Sequence, residues 1–397
     1  MSALTLPPFR DLLAAVVAMP SVSSVNRQWD MSNVPVIDLL AAWLEDAGFR
    51  VEIMHLGGSP AKANLVATLG AGDGGLVLAG HVDTVPFDQH GWASDPFRLD
   101  ERDGRFHGLG TSDMKSFFPL VLEATRELRA GDLRRPLVVV ATADEETAMT
   151  GARALVERGA PLGRHAVIGE PTGMRPVRCH KGILTEAVRV RGRSGHSSDP
   201  RLGRSALEGM HRVMTALLDW RDELQQRHRS TAFQVATPTL NLGHIHGGDN
   251  PNRICPECEL QLDLRFLPGM DLEALRATLE ARAREAVAGL ELELELVSLS
   301  EGIPPLETDP RAGIVRTAER LTGAPAEAVA FGTEGPYYRQ LGTDVVVLGP
   351  GDIAQAHQPD EYLSAARVTP MVEVLRGLIR ELCVAPEPPA RAGADGT

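Results

Sequence analysis

The stretch PLVVVATADEETAM, residues 136–149, joins an apolar run to three consecutive acidic residues, and it decides how the rest of the chain is interpreted. The apolar half is rich in valine and lacks polar alternation, which is typical of a strand buried on both faces. Asp144, Glu145 and Glu146 follow where this strand should end. Adjacent carboxylates repel one another, so the triplet marks either a solvated turn or a site that needs negative charge.

Similar apolar runs recur along the chain and alternate with helical stretches. NLVATLG, GLVLAGHVDTV, HAVIGEP and TDVVVLGPG have the pattern of strands, whereas SFFPLVLEATRELRA and MTGARALVERG have the pattern of helices. Strands without alternation that are separated by helices indicate a sheet covered on both faces. We therefore predict an α/β fold built on a mostly parallel sheet.

The pattern of apolar and polar residues changes between about residue 183 and residue 295. Alternating strand patterns and two long amphipathic helices follow one another there in the order β-α-β-β-α-β, which is the order of a ferredoxin-like unit. Because the parallel-sheet pattern resumes afterwards, we predict that residues 183–295 are inserted into a domain formed by residues 1–182 and 296–384. The Pro/Gly/Ala-rich stretch 385–397 is predicted to be disordered.

The bulk composition argues against several classes of protein. The chain of 397 residues carries a formal net charge of −13, whereas nucleic-acid and anionic-membrane surfaces need clustered Lys and Arg. No apolar run approaches the roughly 18 residues of a membrane span, and the N-terminal stretch indicates an amphipathic helix rather than a signal peptide. Four scattered cysteines are too few for a disulfide framework, which favours a cytoplasmic location.

Histidines and further acids also follow predicted strands, and they are His81, Asp83, Asp113, Glu170 and His357. Each has an ordinary interpretation: Asp113 suits a helix N-cap, and His81 with Asp83 suits a turn. If the strand continues through both, however, alternation directs His81 and Asp83 to one face. Open α/β sheets bind ligands at the carboxyl ends of their strands, so the coincidence favours a site. Two histidines with shared carboxylates suit a two-zinc or zinc/cobalt centre.

The motifs around these residues resemble those of a known family. GHVDTVP, GLGTSDMK, ATADEE, IGEPT and AHQPDEY occur in the order found in the M20 zinc-dependent amidohydrolases and their aminopeptidase relatives. More narrowly, RPVRCHKG, SGHSSDP, PTLNLGHIHGGDNPNRIC, DLRFLPGM and LGPGDIAQAHQPDEYL are similar to stretches of the bacterial acetylornithine deacetylases in that family. The resemblance implies a zinc-hydrolase catalytic domain with an inserted lid and dimerisation domain.

The resemblance also implies two Zn²⁺ ions per subunit, with Co²⁺ as an alternative metal, and assigns their ligands. Asp113 would bridge the two metals. His81 and Glu170 would complete the protein ligands of one metal, and Glu146 and His357 would complete those of the other. Every one of these positions carries the residue type that the family requires.

Three more residues would act in catalysis according to the same resemblance. Asp83 would orient His81, and Glu145 would be the general base that holds the bridging water. His196, which chemistry alone would leave as a loop histidine, would reach into the partner subunit's site and donate to the oxyanion. This implies a homodimer joined through the lid domain, with lid closure completing the site. A cis peptide bond after Asp113 is also implied.

The expected substrate is a small N-acyl amino acid. Its free α-carboxylate calls for guanidinium and amide donors, which the resemblance assigns to Arg265 and Asn250, while Arg253 is equally consistent with a surface charge. Glu334 would face the terminal ammonium of acetylornithine, although an N-cap role is nearly as well supported. The expected reaction is the hydrolysis of N2-acetyl-L-ornithine to L-ornithine and acetate in arginine biosynthesis.

Other interpretations remain open from the sequence. Related enzymes of the family hydrolyse N-acetylcitrulline, succinyl-diaminopimelate or acylated amino acids in general, and they share the metal ligands. A metal-binding homologue without turnover is a further alternative, but it would need neither Glu145 nor His196. A dinucleotide enzyme is excluded by the missing glycine fingerprint. The pair Cys255 and Cys258 lacks partners at zinc-finger spacing and is interpreted as structural.

Overall fold

The computed structural model describes residues 6–88 and 90–384. The stretch 385–397, for which the sequence predicts disorder, lies outside these described residues. Within the described ranges, no helix combines the length and the apolar character that a membrane span requires. The chain divides into two units, which are described separately below. Unit 2 comprises Cys179–Glu307 and Glu327–Pro336, and unit 1 comprises the rest of the described chain.

Strands and helices alternate through most of the chain. The strands are β1 (Arg50–Gly57), β2 (Lys62–Leu69), β3 (Leu76–His81), β4 (Asp100–Arg102), β5 (Arg105–His107), β6 (Leu137–Thr142), β7 (His165–Ile168), β8 (Val177–His180), β9 (Gly182–Arg191), β10 (Thr239–Gly247), β11 (Glu257–Phe266), β12 (Glu293–Ser298), β13 (Leu306–Glu307), β14 (Glu327–Val329), β15 (Asp344–Val347) and β16 (Tyr362–Ser364). The α-helices are α1 (Phe9–Val17), α2 (Val34–Asp46), α3 (Phe117–Thr125), α4 (Thr150–Arg158), α5 (Ala206–Arg227), α6 (Leu272–Ala286), α7 (Gly313–Thr322), α8 (Gly335–Gln340) and α9 (Val368–Ile379).

Unit 1 is built on a sheet with the strand order β1-β2-β6-β3-β7-β15. The four strands β6, β3, β7 and β15 are parallel to one another, and β1 and β2 continue the sheet in antiparallel pairing. All residues of β3 and β6 are buried, as expected for strands covered on both faces. One core cluster joins these strands to α1, α2, α3 and α9. The prediction of a mostly parallel α/β sheet is therefore confirmed.

The direction of the parallel strands explains why acidic residues from distant parts of the chain meet. Strand β3 ends at His81, β6 ends two residues before Asp144, and β7 ends two residues before Glu170. Because β3, β6 and β7 run the same way, their carboxyl ends lie at the same edge of the sheet. A smaller antiparallel sheet, β16-β5-β4, ties the segment after His357 to the segment before Asp113.

Unit 2 contains an antiparallel sheet in the order β10-β11-β9-β12. Its connectivity is β9-α5-β10-β11-α6-β12, which confirms the predicted ferredoxin-like order. Burial alternates along β11, so that one face of the sheet carries apolar side chains. Helices α5 and α6 contribute to the same core through residues such as Leu217 and Leu279.

The division between the units falls outside the boundaries expected from the sequence. Unit 2 begins at Cys179 instead of residue 183 and extends to Glu307 instead of residue 295, and it also includes Glu327–Pro336. Backbone pairing accounts for the extension, because β13 pairs with the end of β8 and Ile183 pairs with Ile303. Pairs this short leave no alternation pattern that sequence reasoning can detect.

Candidate metal centre

The five predicted metal ligands lie together in unit 1. His81 Nε2 is 3.3 Å from Asp113 Oδ1 and 3.7 Å from Glu170 Oε1. His357 Nε2 is 3.1 Å from Glu146 Oε2 and 3.6 Å from Asp113 Oδ2. The two oxygens of Asp113 therefore face different histidines, which is the arrangement that a carboxylate bridging two cations requires.

The donor set fits a pair of divalent cations. Ligand atoms of His81, Asp113 and Glu146 lie within 4.8 Å of one another, and so do those of His81, Glu145 and Glu170. Among the described residues, Glu170 Oε1 has no hydrogen-bond partner although it is buried, and such an orphaned acceptor is suited to a cation. Imidazole nitrogens combined with carboxylate oxygens are ligands that zinc accepts.

The electrostatics of the cluster indicate a shortage of positive charge. Burial raises the pKa of Glu170 to about 8. Burial, followed by repulsion from Glu170, also raises the pKa of Glu145 well above its usual range. Burial acts to lower the pKa of His81, but the carboxylates of Glu170 and Asp113 outweigh it and raise that pKa well above its ordinary value. Two cations would relieve the repulsion among these acids.

Asp83, which is predicted to orient His81, contacts both this histidine and the turn after β6. His81 Nδ1 is 2.9 Å from the main-chain oxygen of Asp83, and the Asp83 carboxylate is 3.7 Å away. The carboxylate instead accepts hydrogen bonds from the backbone N–H groups of Glu145, at 3.2 Å, and Glu146, at 3.1 Å. Strand β3 ends at His81, so strand alternation does not extend to Asp83. The carboxylate thus supports the turn that carries Glu145 and Glu146.

Asp144, the first acid of the triplet, is not in either group of candidate ligands. Its carboxylate accepts from Lys62 Nζ at 2.7 Å and from Ser23 Oγ at 2.9 Å. Lys62 is 6 % exposed and also contacts Asp30 Oδ1 at 2.8 Å. Burial acts to lower the pKa of Lys62, but its hydrogen bonds to Asp144 and Asp30 outweigh burial and raise it. Asp144 therefore connects its turn to Lys62 on β2. No sequence pattern predicts this contact.

The loop that carries Asp113 has two further features. The peptide bond between Asp113 and Met114 is cis, as the resemblance implies. The buried carboxylate of Glu361 accepts hydrogen bonds from the backbone of this loop. Glu361 belongs to the AHQPDEY motif, but an acid that precedes a strand looks the same in sequence whether it is buried or solvated.

The residues predicted to contact the substrate, and His196, belong to unit 2, whereas the predicted metal ligands belong to unit 1. His196 and Asn250 lie in exposed loops, and His196 Nδ1 is 2.7 Å from Ser198 Oγ. Arg265, on β11, donates from Nε to Asp263 Oδ1 at 2.8 Å, so its charge is partly matched within the strand. Glu334 is fully buried. Arg253 pairs with Asp249 on the exposed surface.

The cysteines and His180 have structural surroundings. All four cysteines are buried free thiols. Among the described residues, neither Cys255 nor Cys258 joins a candidate metal group. His180 is fully buried, with Nδ1 2.8 Å from the main-chain oxygen of Lys181 and Nε2 3.1 Å from Thr333 Oγ1. Burial lowers the pKa of His180 to about 4, so the imidazole is neutral at pH 7.

A parallel α/β sheet with two histidines and shared carboxylates at one edge defines a class of metal-dependent hydrolases. Comparison with protein families agrees with this class. The model of peptidase family M20/M25/M40 matches residues 77–381, and the chain belongs to that family.

Solved structures of similar fold cover nearly the whole chain. An M20 metallo-carboxypeptidase from Sulfolobus solfataricus is 16% identical with a TM-score of 0.74, and the match covers 94% of this chain and 99% of that chain. A tripeptidase from Staphylococcus aureus is 18% identical with a TM-score of 0.72, covering 94% and 97%. A dinuclear metal-binding M20 peptidase from Bacillus subtilis is 14% identical with a TM-score of 0.64, covering 94% and 96%. At these identities the matches establish a shared fold.

Proposed function

We propose that this protein catalyses the metal-dependent hydrolysis of N2-acetyl-L-ornithine to L-ornithine and acetate, the acetylornithine deacetylase reaction of arginine biosynthesis. The hydrolytic part rests on one observation: Asp113 faces two histidines through different oxygens, and Glu145 lies in the same cluster. The choice of substrate rests on the similarity of residues 175–182, 194–200, 238–255, 263–270 and 348–363 to stretches of acetylornithine deacetylases. Four buried free thiols are consistent with a cytoplasmic location.

Glu145 is the proposed general base of the reaction. Its carboxylate lies in one group with His81 and Glu170, next to the proposed ligands, which is where a base would meet a water molecule activated by the cations. The water oxygen forms a bond to the acetyl carbonyl carbon while Glu145 accepts the proton. Glu145 then gives this proton to the amide nitrogen as the carbon–nitrogen bond breaks, so that acetate and the free amine are released.

Two Zn²⁺ ions are the proposed cofactors, with Co²⁺ as an alternative metal. His81 and Glu170 would hold one ion, Glu146 and His357 would hold the other, and Asp113 would bridge them. When bound, the ions would lower the pKa of the attacking water and polarise the acetyl carbonyl. Asp83 supports this arrangement through the backbone of the turn that carries Glu145 and Glu146.

His196 is the proposed oxyanion donor. The backbone N–H of Ser198 donates to His196 Nδ1 at 3.2 Å, so a neutral ring carries its proton on Nε2. That tautomer leaves an exposed N–H donor, which is what an oxyanion requires. The proposal that His196 acts on a partner subunit's site requires a homodimer joined through the lid domain.

The edge strand of unit 2 supports such a homodimer. Strand β10 ends the sheet, and its half from Gly243 to Gly247 is exposed, including Ile245 at 45%. An exposed strand edge can pair with the same edge of a second copy. Sedimentation velocity at assay concentration should give a dimer, whereas a fully active monomer would contradict both the dimer and the role of His196.

Arg265 and Asn250 are the proposed contacts for the substrate α-carboxylate, and Glu334 for its terminal ammonium. The Glu334→Gln variant should weaken acetylornithine binding more than binding of an uncharged N-acetyl amino acid, because only acetylornithine loses an ion pair. The measurement is KM for N-acetylornithine and N-acetylnorvaline with both proteins. Equal changes for the two substrates would refute the pairing.

A peptidase is the second candidate function, because several solved relatives are described as dipeptidases or tripeptidases. An amine-release assay separates the candidates when it is run on N-acetylornithine, N-acetylcitrulline, N-succinyl-diaminopimelate and a plain dipeptide. Each substrate is tested with and without a chelator. We expect the highest kcat/KM for N-acetylornithine and loss of activity with chelator. Preference for the dipeptide would favour the peptidase, and activity on none would overturn amide hydrolysis.

A further inference from the structure

Glu361 is a buried carboxylate for which the catalytic scheme has no role. It is 1 % exposed and lies four residues after His357, directly before β16. An isolated buried carboxylate is unfavourable unless hydrogen bonds or charges compensate it. The partners of Glu361 therefore show what the fold gains from placing it there.

All described hydrogen bonds of Glu361 go to the backbone of one loop. Oε1 accepts from the N–H groups of Ser112 at 2.6 Å and Asp113 at 2.9 Å, and Oε2 accepts from Gly110 N–H at 2.9 Å. The main-chain oxygen of Glu361 accepts from Gly108 N–H at 3.0 Å. One residue thus binds the loop along its whole approach to Asp113.

The register of the small sheet explains why Glu361 meets this loop. Tyr362 pairs with His107 in the β16–β5 ladder, so the preceding residue, Glu361, lies opposite Gly108. The same segment carries His357, which faces Asp113 Oδ2. Glu361 consequently connects the segments of two residues that face each other in the metal centre.

We propose that Glu361 is a positioning residue that sets the distance between Asp113 and His357 and thereby the affinity of the cation held between them. The inference rests on the proposed two-cation centre. Residues that orient metal ligands typically change metal affinity by 10–100-fold when they are replaced. Glu361 acts here through backbone N–H groups, as Asp83 does on the turn of Glu145 and Glu146.

The Glu361→Gln variant tests the proposal because the side chain keeps its size but presents an NH₂ group to backbone N–H donors. Zinc binding to metal-free protein is measured by calorimetry against a competing chelator, and the Co²⁺ absorption spectrum reports the ligand geometry. We expect the site of Glu146 and His357 to lose roughly 10–100-fold in zinc affinity, with an altered cobalt spectrum. The site of His81 and Glu170 should change less.

Glu186→Gln is the matched control, because Glu186 is fully buried in unit 2 and bonds to Arg276 and Ser298. It should lower the unfolding temperature of the metal-free protein without changing zinc affinity. Unchanged zinc affinities and cobalt spectrum in Glu361→Gln would overturn the proposal. If the Glu361→Gln variant does not fold, the same measurements are made on Glu361→Asp, which keeps the negative charge but has a side chain shorter by one methylene group. Wild-type affinity for both zinc ions in Glu361→Asp would then overturn it.

Zinc titration of the wild-type protein distinguishes a failure of the Glu361 proposal from a failure of the proposed function. Failure of the wild-type protein to bind two zinc ions would overturn the metal centre itself and the role of Glu361 with it. Two bound zinc ions in wild type with no effect of either Glu361 variant would overturn the positioning role alone. Two bound ions with a selective loss in the variants would support both.

Discussion

The two units of this chain deal with charged residues in opposite ways. Unit 1 buries Asp83, Asp113 and Glu170, and the imidazoles of His81 and His357 face these carboxylates at 3.3 to 3.7 Å. In unit 2 the buried Glu186 is matched by Arg276 at 2.8 Å. Most ion pairs of unit 2 are partly exposed, such as those on α5, α6 and the sheet surface.

The contrast teaches how a functional site differs from structural charge. Buried ions are tolerated when a partner neutralises them, as Arg276 does for Glu186. The acids of the unit 1 centre outnumber the two imidazoles beside them, so the excess negative charge is balanced either by protons, as the raised pKa values of Glu145 and Glu170 indicate, or by bound cations. A buried excess of one charge is therefore a stronger indication of a cation site than the individual residues are.

Replacing Glu145, the proposed general base, should have the largest effect on activity. Glu145→Gln is expected to lower kcat by a factor on the order of 10²–10⁴ while both zinc ions remain bound, because the amide cannot accept the water proton. Steady-state kinetics and metal analysis on the same sample check this. The matched Glu146→Gln variant should instead lose zinc. Full activity of Glu145→Gln with intact metal content would remove Glu145 from the mechanism.

Metal removal should destabilise unit 1 selectively. A ligand present at about 1,000 times its Kd stabilises the native state by about 4 kcal/mol, and the released carboxylates would repel one another. Hydrogen exchange with and without chelator should show faster exchange in residues 110–113 and 144–146, with β9 and β11 of unit 2 unchanged. Equal loss of protection in both units would break the contrast between them.

Lowering the pH tests His180, a buried imidazole with a structural role. The pKa of His180 is about 4 in the folded chain against an ordinary value of 6.5, so the unfolded state binds the proton more readily. The contribution of His180 to stability is therefore fully present above pH 6.5 and is lost as the pH drops from 6.5 to 4, and it amounts to about 3 kcal/mol. Urea unfolding at several pH values should show this slope, and His180→Asn should lack it. Identical slopes would contradict the prediction.

A surface pair of unit 2 should have the smallest effect. Arg282 contacts Glu223 at 2.7 Å, and both side chains are about one-third exposed. Arg282→Ala should cost less than about 1 kcal/mol of unfolding free energy, because solvent and salt screen the pair. The loss should shrink further in 1 M salt, which urea unfolding at both ionic strengths can measure. A loss above about 3 kcal/mol would mean that this charge pair behaves like the buried ones.

The sequence predicted the parts of the molecule that depend on local patterns. Apolar runs such as residues 137–142 predicted the parallel strands, and strand direction then brought His81 and Glu170 together. The contacts of the Asp83 carboxylate with the backbone of Glu145 and Glu146 were not predicted, because β3 ends at His81 and the alternation rule stops there. Lys62 and Glu361 could not be predicted, since their partners are far away in sequence and no pattern marks a buried charge.

Anomalous diffraction at the zinc edge, from crystals grown with saturating zinc, would locate the cations themselves. We expect two zinc peaks in unit 1, one contacted by His81 and Glu170 and the other by Glu146 and His357, with Asp113 contacting both. A single peak, peaks at other residues, or no zinc at saturation would contradict a two-cation hydrolytic centre.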